Sequence, residues 1–150
     1  MQVSQKCQYT LRALFELAKQ RDGRPVAVAD IADAQAIPQR FLELILQGLK
    51  GNGLIESRRG NKGGYVIAVA PEKITVGDII RAVDGSLAPV KCIVGKNEEL
   101  CRLKNRCAFI GVWQRAKKAI EQVYDHTTLQ DLIDDEQAAA EQDAALMYAI

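Results

Sequence analysis

The 150-residue sequence predicts a mainly α-helical protein carrying one small β-hairpin. Three observations point there. Apolar residues recur at helical spacing in most segments of the chain. The strand-like stretches, 54–58 and 65–69, are separated by a glycine-rich turn. Three of the four cysteines fall within sixteen residues, 92–107, in a segment with no clean period that holds Gly95, Asn97 and Asn105.

Composition narrows the class. A chain of this length, 48% hydrophobic, can build one ordinary core plus an appendage. No apolar run approaches the roughly 20 residues of a membrane span, and Met1-Gln2-Val3-Ser4 opens without an apolar signal region. A cytoplasmic protein with no membrane partner is expected. Reducing conditions argue against a disulfide framework, leaving the cysteines free or as ligands. Charge is uneven. Residues 1–91 hold 13 Lys/Arg against 9 Asp/Glu, and residues 92–150 hold 7 against 10. Positions 102–118 carry six basic residues and no acid, whereas 128–150 carry six acids and no base. Local positive potential is what nucleic-acid binding needs, so a net charge of +1 does not exclude it.

The first helix runs from about Cys7 to Gln20, with Leu11, Leu14, Phe15 and Ala18 on one face and Ser4 as its cap. Arg21-Asp22-Gly23-Arg24-Pro25 stops it. A short second helix covers 28–34. Gln35-Ala36-Ile37-Pro38 is a tight connection, with Pro38 suited to a first helical turn. The third helix buries Phe41, Leu42, Ile45, Leu46 and Leu49, and Gly51-Asn52-Gly53 ends it. Two short helices joined this way form a helix-turn-helix, whose second helix can enter a major groove. Gln39, Arg40 and Glu43 are exposed at its start and can read adenine, guanine and cytosine edges. The alternative is a solvated helix face.

The hairpin favours the DNA reading. Its tip, Arg59-Gly60-Asn61-Lys62-Gly63-Gly64, places Arg58, Arg59 and Lys62 among three glycines. Such a wing lets backbone approach phosphates and an arginine enter a narrow minor groove; an ordinary solvated turn is the alternative. A P-loop would need Gly-Lys followed by Ser or Thr and a helix, and an RNA-clamping GXXG loop should join two helices. Neither condition is met. Beyond Pro71, Thr75 caps a helix with Val76, Ile79, Ile80 and Val83, closed by Asp84-Gly85.

Thiolates gathered on a loop suit an iron–sulfur cluster or zinc, because both metals favour soft sulfur donors. Without a ligand, this loop has little apolar content to order it. After it, Phe109, Val112, Trp113, Ala116, Ile120 and Val123 recur at near-heptad spacing to about Asp125. A helix this apolar packs on its own core or on a twin, and a twin suits a palindrome reader. Thr128 caps a short helix over 129–133, and the acidic, alanine-rich 135–150 tail is a marginal helix with no chemistry assigned. The expected organisation is a winged helix-turn-helix over 1–85, a cysteine loop over 86–108, a dimerisation helix and short helix over 109–134, and the 135–150 tail.

On these residues the chain resembles the winged-helix regulators that include the iron–sulfur cluster regulator IscR, the nitric-oxide sensor NsrR and the cysteine-metabolism repressor CymR. The resemblance spans Met1 to about Ile133. It rests on Tyr9…Leu17-Ala18, Pro38-Gln-Arg-Phe-Leu-Glu43, Arg58-Arg-Gly-Asn-Lys-Gly-Gly-Tyr65, Val76-Gly-Asp-Ile-Ile80 and the three loop cysteines. It implies a homodimer on a palindromic operator, with Arg40, Glu43 and Arg59 at DNA-contacting positions. It also implies Cys92, Cys101 and Cys107 as ligands of a 2Fe–2S or 4Fe–4S cluster. Two departures stand out. The eight-residue gap between Cys92 and Cys101 is longer than usual, and Ile110 stands where the iron–sulfur regulator has a histidine. In other members the fourth ligand comes from the partner's first helix, where this chain has Cys7 and Gln8. His126, the single histidine, would lie about 28 Å from Cys107 along a continuous helix and is set aside.

Four functions are weighed. The leading one is a dimeric transcription regulator that senses redox, iron or nitric-oxide status through a cluster. Structural zinc is a second, although paired C-x₂-C knuckles are absent. A metal-free regulator or repressor controlled by a partner protein is a third. A thiol-redox enzyme is disfavoured, because there is no C-x-x-C and only one histidine.

Overall fold

The computed structural model describes residues 2–148 except 21, 61, 96–100, 104 and 105. Six α-helices and one hairpin are described: α1 Gln5–Ala18, α2 Val28–Gln35, α3 Gln39–Leu49, β1 Ile55–Arg58, β2 Gly64–Ile67, α4 Val76–Asp84, α5 Ile110–Asp125 and α6 Leu129–Tyr148. Short 3₁₀ turns at Lys50–Asn52, Pro71–Lys73 and Lys91–Ile93 join them. The mainly helical fold with a β-hairpin wing is therefore present.

Local chemistry sets the boundaries. The Ser4 hydroxyl accepts from the Cys7 N–H at 3.1 Å, capping α1, and itself donates to Asp84 at the end of α4. Thr75 and Asp78 form a reciprocal capping box at the start of α4. Pro38 departs from expectation: it is the residue before α3, with ψ 122°, and not part of its first turn. Its carbonyl instead accepts from the Phe41 and Leu42 N–H groups.

The core lies where α1, α2 and α3 meet the hairpin. Leu14, Leu17, Ile31, Leu42, Leu46 and Ile79 are buried together. Phe41, expected on the buried face, is instead 38% exposed and meets Tyr9 edge-on at 5.7 Å. β1 and β2 pair antiparallel with Ile55 opposite Ile67 and Arg58 opposite Gly64. Val26 adds a bridge on the other edge of β2, exchanging 2.9 Å hydrogen bonds with Tyr65 in both directions. That bridge explains one glycine: a Cβ on Gly64 would sit 2.2 Å from the Val26 carbonyl oxygen.

The C-terminal half is tied back at one junction. Thr75 bridges Thr128, with Val76 donating to the Thr127 carbonyl and Leu129 to the Ile74 carbonyl, both at 2.9 Å. Arg81 pairs with Asp125 at 2.8 Å beside Gly77, where any Cβ would collide with the Asp125 carboxylate. Leu129 and Ile133 at the start of α6 are buried in the same core as α1. The short helix and the tail form one continuous helix, α6, exposed from Asp134 to Met147. Among the described residues no helix is long and apolar enough to cross a membrane.

Candidate nucleic-acid interface and cysteine loop

Helix α3 turns Leu42, Ile45, Leu46 and Leu49 inward, which forces the alternating positions outward. Gln39, Arg40 and Glu43 are all exposed on that outer side. Gln39 donates from Nε2 to Glu43 Oε1 at 3.3 Å, so the amide and the acid lean on each other one turn apart. Leu44 and Gln47 are exposed on the same side. Hydropathy alone passes over them, but their spacing from Arg40 and Glu43 places them there. The far end of α3 reaches the hairpin through Lys50, whose Nζ lies 5.6 Å from the centre of the Tyr65 ring on β2.

At the wing, Arg58, Arg59 and Lys62 are exposed. Arg58 pairs with Glu56 at 3.1 Å, whereas Arg59 and Lys62 have no ion-pair partner among the described residues. Gly60 adopts φ +120°, and the Gly63 N–H closes the tip on the Gly60 carbonyl at 2.9 Å. A Cβ on Gly63 would lie 2.5 Å from the Arg58 carbonyl oxygen. The turn is thus glycine-dependent, and it carries two cations, Arg59 and Lys62, exposed on a narrow backbone. Exposed Gln, Arg and Glu on a helix and cations on a wing are groups that can meet base edges and phosphates.

The three loop cysteines are free and partly exposed. Cys92 lies in the Lys91–Ile93 turn, which packs on α5 through a neighbourhood that includes buried Ile93. Cys107 precedes α5, and its carbonyl accepts from the Ile110 N–H at 3.3 Å. Cys107 thus stands at the start of α5, and Cys92 lies in a turn that packs on the same helix. Among the described residues, however, no three Cys, His, Asp or Glu side chains come close enough to hold a metal. Residues 96–100 and 104–105, on which the expectation of a poorly ordered loop bears, lie outside the described residues, as does Asn61 at the wing tip.

Cys7 lies on α1, apart from the loop in sequence. It is fully buried against Ile80 and Leu87, and burial together with nearby Asp84 pushes its thiol up to about 11. Gln8 is exposed beside it, donating to the Val3 carbonyl at 3.0 Å. His126 caps the far end of α5, with Nδ1 2.8 Å from the Gln122 carbonyl oxygen.

Helix α5 buries none of its residues in this chain. Its apolar stripe divides in two. Ile120, with Tyr124, packs toward α4 and Cys7. Phe109, Val112 and Val123 face outward at 63%, 45% and 61% exposure. Trp113 is half-buried and stacks on Phe109 with ring centroids 6.3 Å apart, and Ala116 is half-buried between the two groups.

Comparison with known proteins places this geometry. Over 148 residues the chain is 34% identical to the HTH-type transcriptional regulator CymR of Bacillus subtilis, covering 99% of both chains. The structure of that regulator, described as the global cysteine regulator of the organism, superposes with a TM-score of 0.71 at 36% identity, covering 88% of this chain and 95% of that one. T. potens IscR superposes equally well, with a TM-score of 0.71 at 34% identity over 93% of this chain and 90% of that one. Residues 3–135 match the Rrf2 family, described as "Iron-dependent Transcriptional regulator". A helix-turn-helix with a cationic wing, aligned over nearly its whole length with these regulators, makes the chain a winged-helix transcriptional regulator of the Rrf2 family.

Proposed function

We propose that the chain works as a homodimer on a palindromic double-stranded operator and holds an iron–sulfur cluster, of 2Fe–2S or 4Fe–4S type, on Cys92, Cys101 and Cys107. The observation that carries the cluster is that the Cys92 turn packs on α5 and Cys107 leads into the same helix, with Cys101 between them in sequence. The donor chemistry fits: three partly exposed thiols are soft ligands open to delivery. Bound there, a cluster supplies a redox- and nitric-oxide-sensitive group. Arg102 and Arg106 lie beside two of the ligands in sequence and offset the negative charge of thiolate ligation. Loading requires the three sulfurs to draw together from their described positions. A fourth ligand from the partner falls to Gln8 on access and to Cys7 on softness.

A second reading is favoured by the separated thiols and by full-length similarity to CymR. In it the regulator carries no cluster, or structural zinc, and a partner protein controls it. Anaerobic reconstitution followed by visible absorbance, with iron and sulfide content, separates the two. Wild type should show cluster absorbance, and Cys92→Ala, Cys101→Ala and Cys107→Ala should each lose it while remaining folded. Colourless wild-type protein after reconstitution would give the second reading the field.

DNA contact divides between wing and helix. Arg59→Ala should weaken operator binding by about 1–3 kcal/mol, most at sites with A·T-rich flanks. Glu43→Ala should alter base preference more than affinity, because an acid near phosphates opposes non-specific binding. Gel-shift titrations on selected and scrambled duplexes read both effects. An Arg59→Ala protein with wild-type affinity would remove the wing from the interface.

A further inference from the structure

Arg40, Glu43, Leu44 and Gln47 occupy positions i, i+3, i+4 and i+7 of α3, and so share one face of the helix. Three of them are hydrophilic. Leu44 is not, and it is 67% exposed. The core accounts for Leu42, Ile45, Leu46 and Leu49, which lie on the opposite side, but it makes no use of Leu44. One exposed leucine on a protein surface is ordinary. This one has a neighbour that is not. One turn later stands Gly48, inside the helix, with nothing within 4 Å of where its Cβ would be. Glycine weakens a helix relative to alanine, and here no internal contact or positive φ calls for it. Leu44 and Gly48 together make a low apolar strip along one edge of the hydrophilic face, next to partly exposed Phe41.

In the major groove the one apolar group that a base presents is the C5-methyl of thymine. We propose that Leu44 reads a thymine through that methyl, and that Gly48 keeps the helix surface low enough for the duplex to reach it. The inference rests on the DNA-binding reading above and deepens it, naming a specificity determinant that works by apolar contact and not by hydrogen bonding. Arg40 and Glu43 would fix the register, and Leu44 would then select T over C at one position per half-site.

The test isolates a single methyl group. Duplexes are selected from a random-sequence pool with the full-length wild-type chain, in whichever form, reconstituted or not, selects DNA. Each thymine of the selected site is then replaced by deoxyuridine, which removes the methyl and nothing else. Wild type should lose roughly fourfold in affinity at one thymine per half-site, the worth of burying one carbon. Leu44→Ala should bind T and U duplexes equally at that position and keep its other preferences. Leu44→Met, which retains an apolar tip, should still discriminate. Gly48→Ala should raise thermal stability while lowering DNA affinity, a pairing of signs that a purely structural glycine would not give. Wild-type indifference to uracil at every thymine, or unchanged discrimination in Leu44→Ala, overturns the assignment while leaving the DNA-binding reading intact. Failure to select any sequence overturns both.

Discussion

Replacing Val112 and Val123 together with aspartate should yield a folded monomer that no longer protects a palindromic site. Both valines stand on the outward half of α5, at 45% and 61% exposure, with Phe109 beside them at 63%. Fully covering side chains of this size stabilises by about 1.5–3 kcal/mol each, and two-fold symmetry counts every contact twice. Two carboxylates buried there without partners would reverse the balance, since an unpaired buried charge costs several kcal/mol. Folding should survive, because these positions contribute nothing to the chain's own core. Trp113→Asp is the harsher version. Its ring is half-buried and stacked on Phe109, so monomer or insoluble protein is expected. Sedimentation with far-UV circular dichroism reads mass and folding together. A folded dimer of unchanged mass from the double valine variant would move the pairing surface off α5.

How much of this could be read from residues depends on what holds each element in place. Helix α3 and the Thr75–Asp78 capping box are local: an apolar period and a cap are enough to specify them, and both are where the spacing puts them. The wing is legible for the same reason, its glycines marking a tight turn between strand-like runs. The Val26 bridge is not. One residue pairing with Tyr65 leaves no period behind, and only the steric demand at Gly64 records it. Helix α6 is legible in two pieces. A short helix over 129–133 and a marginal helix over 135–150 are both expected from residues, and both are helical as far as Tyr148. What the residues do not show is that they are one helix: burial and the apolar pattern end at Ile133, and beyond it helicity rests on the propensity of Ala, Glu, Gln and Leu.

The candidate site shows the same division. Exposure of Gln39, Arg40 and Glu43 follows from burial of their neighbours, so sequence suffices. On α5 one apolar stripe serves two surfaces, with Ile120 turned to α4 and Val123 turned outward. Periodicity reports that a face is apolar and not what covers it. Cysteine spacing likewise reports donors, whereas their convergence depends on a loop whose backbone no period governs. Cys7 is the sharpest case. As a soft atom it looks like a ligand, yet in this chain it is buried against Ile80 and Leu87, where desolvation and Asp84 push its thiol up to about 11.

Operator affinity should differ between reconstituted and stripped protein by about 5- to 150-fold, the range of ordinary allosteric couplings. Cys92→Ala, Cys101→Ala and Cys107→Ala should each behave like the stripped form whether or not they have been through reconstitution. The path lies in the chain's own packing. The Lys91–Ile93 turn rests on α5, and the Cys107 carbonyl accepts from the first N–H of α5, so fixing the two thiols relative to each other restrains that end of the helix. Along its other side α5 packs on α4, with Arg81 on Asp125 and Ile120 near Ile80. Helix α4 is fastened to the start of α1 through Ser4 and Asp84, and α1 packs on α3. In the proposed homodimer, a change in the setting of α5 would reach α3 through these packed helices and alter the spacing of the two copies. On the proposed palindromic operator, affinity should respond because the DNA fixes that spacing. Titrations of one operator with loaded, stripped and variant protein under anaerobic conditions measure the coupling. Equal affinity for loaded and stripped wild type would confine any cluster to a structural part, and a Cys101→Ala protein that still switches would take that thiol out of the ligand set.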